Sequence, residues 1–227
     1  GRLTATYKDG VAHLNAYLDD HAFLLDALLE LMQCEFRADD LAFARELAEI
    51  LLARFEDRAA GGFYFVSHDH EKLIHRAKPG HDNATPSGNG VAAFALQRLG
   101  HLLGETRYLE AAERALKLFH PALERQPSGF VSLATALDEY LTPPQIVVLR
   151  GATDALVKWQ RALAARYRPD TLILALPAGL TGLPPVLEKA APAGGVNAWV
   201  CRGVTCSPAI NDLAGLERAL SAGRDRV

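Results

Sequence analysis

Residues Asp20-His21-Ala22-Phe23-Leu24-Leu25-Asp26-Ala27-Leu28-Leu29-Glu30-Leu31-Met32-Gln33-Cys34-Glu35-Phe36 put Phe23, Leu24, Leu25, Leu28, Leu29, Leu31 and Met32 over most of a helical circumference. A helix apolar on several sides is covered on several sides, so this stretch predicts an inner helix. Residues 40–56 differ: Leu41, Ala44, Leu47, Ala48, Leu51 and Phe55 fall on one face, with Arg45, Glu46, Glu49 and Arg54 opposite. That single stripe predicts an outer helix with one wet side. The alternation continues with a broadly apolar helix over 87–103, a striped one over 106–119 and a broad one over 129–141.

Hairpins whose members alternate between inner and outer positions build a double layer of helices. The expected fold is therefore mainly α, a partial α/α toroid of helical hairpins, followed by a small α/β module. In such a layer the inner helices run parallel, and their N-termini gather at one rim with free N–H groups and the positive end of the helix dipole.

The pattern changes at Thr142-Pro143-Pro144, which divides the chain into a helical domain over 1–142 and an α/β module over 143–227. Two apolar strands, Ile146–Leu149 and Thr171–Leu176, flank a helix over 153–166, as in a parallel strand–helix–strand unit. A Pro/Gly-rich connection leads to Ala198–Cys201, a turn at Arg202-Gly203, Thr205-Cys206 and a last helix from about Asp212 to Ala222. Arg150-Gly151-Ala152-Thr153-Asp154 has one glycine, so no dinucleotide-binding loop follows the first strand.

Composition narrows the partners. With a formal charge of −3 and no polybasic run, the chain lacks the basic field that nucleic acid or an anionic membrane attracts. No apolar stretch reaches the roughly 18–20 residues that span a bilayer. Three cysteines fit a reducing, cytoplasmic setting. The spacing of Cys201 and Cys206 favours two buried thiols over a cross-hairpin disulfide and matches neither a redox nor a zinc motif. His68-Asp69-His70 reads as a solvated loop tip rather than a metal site, and no cofactor is implied. The chain opens on Gly1-Arg2-Leu3 and holds too few hairpins to close a ring, so it reads as part of a longer protein, with an apolar face prone to self-association.

Two rim segments carry the chemistry. Asp19-Asp20-His21 sets two carboxyls beside an imidazole, a combination suited to general acid–base work and equally to helix capping. His81-Asp82-Asn83-Ala84-Thr85-Pro86-Ser87-Gly88-Asn89-Gly90 supplies the mixed donors and acceptors that sugar hydroxyls need, or a turn and a cap. The candidate catalytic residues are Asp20, His21 and Asp82. Asp19, Asn83, Ser87 and Asn89 are the candidate substrate-binding residues, with no metal site.

Tyr17-Leu18-Asp19-Asp20-His21-Ala22-Phe23-Leu24, Gly61-Gly62-Phe63-Tyr64, Pro86-Ser87-Gly88-Asn89-Gly90-Val91-Ala92, Tyr140-Leu141-Thr142-Pro143-Pro144-Gln145 and the closing Val200-Cys201-Arg202-Gly203-Val204-Thr205-Cys206 resemble the C-terminal half of the YyaL-like proteins. That family includes the spermatogenesis-associated thioredoxin-domain proteins of animals. The resemblance implies an N-terminal thioredoxin-like domain outside this chain and an α/α toroid similar to N-acylglucosamine 2-epimerases and six-hairpin glycosidases. By position in these motifs, the resemblance implies that Asp19, Asp20, Asp82, Ser87 and Asn89 line the toroid mouth, as in sugar-handling relatives; it implies a fold and no specific reaction, and the leading expectation is a carbohydrate-handling enzyme, epimerase-like or hydrolase-like. The competing expectation is a non-catalytic helical scaffold or binding module that supports the thioredoxin-like domain.

Overall fold

A computed structural model describes residues 2–71, 73–203 and 205–221. Val204 and Ala222, which the sequence assigns to the closing hairpin and the last helix, lie outside the described residues. The described chain is mainly helical with two small sheets, and it divides into two compact units.

The first unit comprises the residues up to Glu30, Asp39–Gly100 and Glu105–Thr142. It opens with a hairpin, β1 (Thr4–Lys8) and β2 (Val11–Asn15). Asp9 and Gly10 both have positive φ, 52° and 80°, the backbone of the Asp-Gly turns that match strand twist. No periodic signal marks this hairpin in the sequence, because its short strands are mostly exposed and lack an apolar face. Helices α1 (Leu18–Cys34), α2 (Ala38–Ile50), α3 (Gly88–Leu103), α4 (Thr106–Arg125) and α5 (Val131–Leu141) follow. A wider turn over Leu51–Phe55 extends α2, with the Glu56 N–H bonded to the Leu51 carbonyl at 3.0 Å.

Helices α2 and α4 carry the single stripes read from the sequence. Leu41, Ala44, Leu47 and Ala48 of α2 are buried, as are Tyr108, Ala111, Ala112, Ala115, Leu116 and Leu123 of α4. Glu49, read as a wet-face residue, accepts a hydrogen bond from the buried Tyr108 hydroxyl at 2.5 Å and joins these two helices. Among the three helices expected to be covered all round, α3 meets the expectation: Ala92, Ala93, Ala95, Leu96, Leu99 and Leu102 are buried. Helices α1 and α5 do not. In α1 the buried set is Leu18, Ala22, Leu25, Leu28, Leu29 and Met32, while Leu31 is 44% exposed; in α5, Val131 and Leu141 are 56% and 71% exposed. Hydropathy shows which side chains prefer burial, but the neighbouring elements decide which sides are covered.

The second unit comprises Leu31–Ala38, His101–Gly104 and the chain from Pro143 onward. Strands β3 (Gln145–Gly151), β4 (Thr171–Pro177), β5 (Val196–Arg202) and β6 (Thr205–Cys206) form a sheet in the order β4-β3-β5-β6. β3 and β4 are parallel and joined through α6 (Thr153–Ala164), whereas β5 is antiparallel to β3. All seven residues of β3 are buried, as a strand with both faces covered requires. Val147, Leu149, Leu156, Leu163, Val196 and Ala198 pack with Leu216 and Leu220 of α7 (Leu213–Ser221). At the open edge of β4, the Ile173 N–H donates to the Gln33 side-chain carbonyl at 3.0 Å.

Cys201 and Cys206 are paired residues of β5 and β6 and form a disulfide, against the expectation of two thiols. The antiparallel register places the two residues opposite each other, a proximity that sequence spacing alone does not specify. Cys34 is a free, exposed cysteine.

Candidate functional site

The polar stretch before α3 is organised around Asp82. Its Oδ1 accepts from the Ser87 N–H at 2.8 Å and the Ser132 hydroxyl at 2.5 Å, and its Oδ2 accepts from the Ser132 N–H at 2.8 Å. One carboxylate therefore caps the starts of both α3 and α5. Burial pushes its pKa up, but hydrogen bonds from the Ser132 side chain and backbone and from Ser87 outweigh this and hold it below the ordinary range. Asp82 and the exposed Asn83 line an open depression of about 460 Å³ with Thr85, Ser128, Val131 and Ser132. Ser87 Oγ lies 3.1 Å from Ser132 Oγ and accepts the Gly90 N–H at 3.1 Å.

Asn89 has a different role from that read in the sequence. It is fully buried; Oδ1 accepts the Phe63 N–H at 2.7 Å, and Nδ2 donates to the carbonyls of Phe63 at 2.9 Å and Pro79 at 2.8 Å. Its amide thus completes the backbone bonding of the Gly61-Gly62-Phe63-Tyr64 loop, a requirement for buried polar backbone. Gly61 and Gly62 both have positive φ, and a side chain at Gly61 would strike the Arg114 carbonyl of α4.

At the start of α1, Asp20 Oδ2 accepts the Tyr17 N–H at 2.8 Å, half of a capping box. His21 is buried, and its Nδ1 donates to the Tyr17 carbonyl at 2.8 Å. Burial lowers the His21 pKa; the Tyr17 carbonyl and Asp20 oppose this, and Arg2 and Arg54 add to it. The ring borders a void of about 10 Å³ with Arg2, Arg54, Phe55 and Ser67, room for about one water. The starts of α1 and α3 meet where Gly88 packs on Asp19 and Leu18, so closely that a side chain at Gly88 would strike Asp19 Oδ1. Gly90 packs on Ser132 and Leu133 in the same way. The structure therefore brings three helix starts together, with Asp82 at one junction and Asp19 at the other.

A second polar set lies further along the same helices. Asp19, Phe23, Asp26 and Glu30 recur at i, i+4, i+7 and i+11 on one face of α1, and none of the four is fully buried. The buried Arg98 of α3 donates from Nε to Glu139 Oε1 at 2.7 Å and from Nη1 to Glu30 Oε1 at 2.8 Å. Its guanidinium also lies over the Phe94 ring, 4.1 Å from the centroid. Arg98 thereby links α1, α3 and α5. Burial raises the Asp26 pKa, against the pull of Arg98 and with the help of Glu30. Burial also raises that of Asp19, aided by Asp20 and partly offset by the Gly88 N–H. In both residues Oδ1 is buried without a full hydrogen bond. A carboxyl with a raised pKa can hold and deliver a proton. The sequence signal for this set is the acids and the arginine inside otherwise apolar helices, away from the helix mouths.

No family model matches the chain. It is 29% identical to human spermatogenesis-associated protein 20 over 97% of this chain and 30% of that protein. It is 32% identical to the rat protein of that name over 58% of this chain and 17% of the relative. An uncharacterized protein of Caenorhabditis elegans is 24% identical over 92% of this chain and 29% of its own length. The chain thus spans less than a third of the curated relatives it matches, and their names state no reaction. These similarities support the spermatogenesis-associated protein 20 family as the relatives of this chain.

Proposed function

We propose that the helical unit forms part of the wall of an α/α toroid that handles carbohydrate, with the stripe Asp19, Phe23, Asp26 and Glu30 beside Phe94 and Arg98 as its ligand-facing surface. The observation that carries this reading is the pair Asp19 and Asp26, two half-buried carboxyls with raised pKa values and an unbonded oxygen each. Asp26 is the leading candidate for the general acid. Asp20 and Asp82 bind backbone N–H groups, and Asn89 holds a loop, so in this reading they shape the rim while chemistry passes to Asp19 and Asp26. Glycosidases set their two carboxyls roughly 5–10 Å apart.

A sugar-library thermal-shift screen on this chain and on the human relative tests the proposal. A hit lost in Asp26→Asn, with folding intact, supports it. The competing scaffold reading is favoured by the capping roles of Asp20, Asp82 and Ser87. It stands, and the enzyme reading falls, if no sugar shifts either protein.

A further inference from the structure

Arg150 is the penultimate residue of β3, where β3 and β4 run parallel, and it is 6% exposed. Its Nη2 donates to the carbonyls of Ala178 at 3.2 Å and Leu180 at 3.0 Å, while Nε and Nη1 are buried without a hydrogen-bond partner. No carboxylate among the described residues forms an ion pair with this guanidinium. Arginine keeps its charge in proteins, and a buried charge lacking a counter-ion is expensive. Two carbonyl dipoles compensate only part of it.

The same side chain borders a cavity of about 300 Å³, also lined by Leu180, Thr181, Glu188 and Lys189. Lys189 Nζ faces Cys206 Sγ at 3.4 Å, and a disulfide sulfur is a weak acceptor. Two cations therefore face the cavity against one carboxylate, Glu188. Its position at the carboxyl ends of parallel strands is where open α/β sheets bind ligands, and its volume lies at the small end of ligand pockets. The absence of a glycine-rich loop after β3 argues for a compact anion over a dinucleotide.

We propose that this cavity binds a small oxyanion, the carboxylate or phosphate group of a compact hydroxylated molecule. Arg150 supplies the buried charge, Lys189 a second cation, and Thr181 and Glu188 receive ligand hydroxyls. Calorimetric titration of the full chain with inorganic phosphate and, separately, with malonate tests this at constant ionic strength set by chloride. Saturable binding of at least one anion is expected, weakened about tenfold in Lys189→Ala and lost in Arg150→Gln. Phosphate without malonate assigns a phosphate ligand, and the reverse assigns a carboxylate. A bound anion should also move the Arg150 Nε–H resonance, which decides the matter with Lys189→Ala if Arg150→Gln fails to fold. No heat above the chloride control, or binding unchanged in Lys189→Ala with a stationary Arg150 resonance, overturns the proposal.

Discussion

Asp82, in the loop before α3, and Asp26, on α1, are both carboxylates, and their surroundings move them in opposite directions. Asp82 is held below its ordinary pKa by the groups it caps, so its contribution to stability is complete above the unfolded value of about 3.9 and is lost as pH falls through the folded value. Asp82→Ala is expected to lose about 1–4 kcal/mol near pH 6, one cap at each of two helices. Urea melts should show the gap to wild type shrinking below about pH 4. Asp26 has a raised folded pKa; its favourable protonated form is fully present below about 3.9 and is lost as pH rises through the folded value. Asp26→Asn should therefore unfold at higher urea than wild type at pH 7 and match it near pH 3. A variant less stable than wild type at pH 7 would assign Asp26 a structural ion-pair role. Stability gained by neutralising a group that a ligand site needs is the expected trade-off.

At the scale of elements, the one-sidedness of α1 can be measured. Leu28 is buried and Leu31 is 44% exposed, so Leu28→Ala should cost about 2–5 kcal/mol by leaving a cavity, and Leu31→Ala about 0.5 kcal/mol or less. Equal losses would mean that α1 is covered on both sides. The Arg98 network has a sharper test. Arg98→Met removes the guanidinium paired with Glu139, which is 6% exposed, a change expected to cost about 3–5 kcal/mol. Pairing it with Glu139→Leu should recover most of that loss, since Glu30 is exposed enough to return to water. A double variant as unstable as the single one would show that Arg98 is held by packing of its stem rather than by its charge.

At the scale of the whole molecule, exposed apolar side chains include Val131, Tyr140 and Leu141 of α5 and Tyr7, Val11 and Leu14 of the β1–β2 hairpin. Contiguous apolar surface is uncommon on monomers, and a two-stranded sheet leaves open edges. We expect the chain to self-associate at micromolar concentration, which light scattering would show as a mass above that of one chain. A single-chain mass would mean these side chains are too scattered to act as a patch. The elements with strong periodic signals were legible in the residues: the stripes of α2 and α4, the strand–helix–strand unit of β3, α6 and β4, and the polar starts of α1 and α3. Their spacing alone determines which side chains share a face. The roles of those polar residues were not legible, because Asp82 reaches Ser132 across 50 positions and Asn89 reaches Phe63 across 26. Whether a carboxylate is a cap, a buried acid or the partner of an arginine depends on which N–H groups and charges the fold brings within about 3 Å. The same holds for the Cys201–Cys206 bond and for Arg150, whose charge is ordinary in the sequence and is buried with only carbonyl partners once strand and loop close around it. Periodicity is a property of neighbours along the chain, while pKa, pairing and burial are properties of neighbours in space; tertiary structure alone decides the latter.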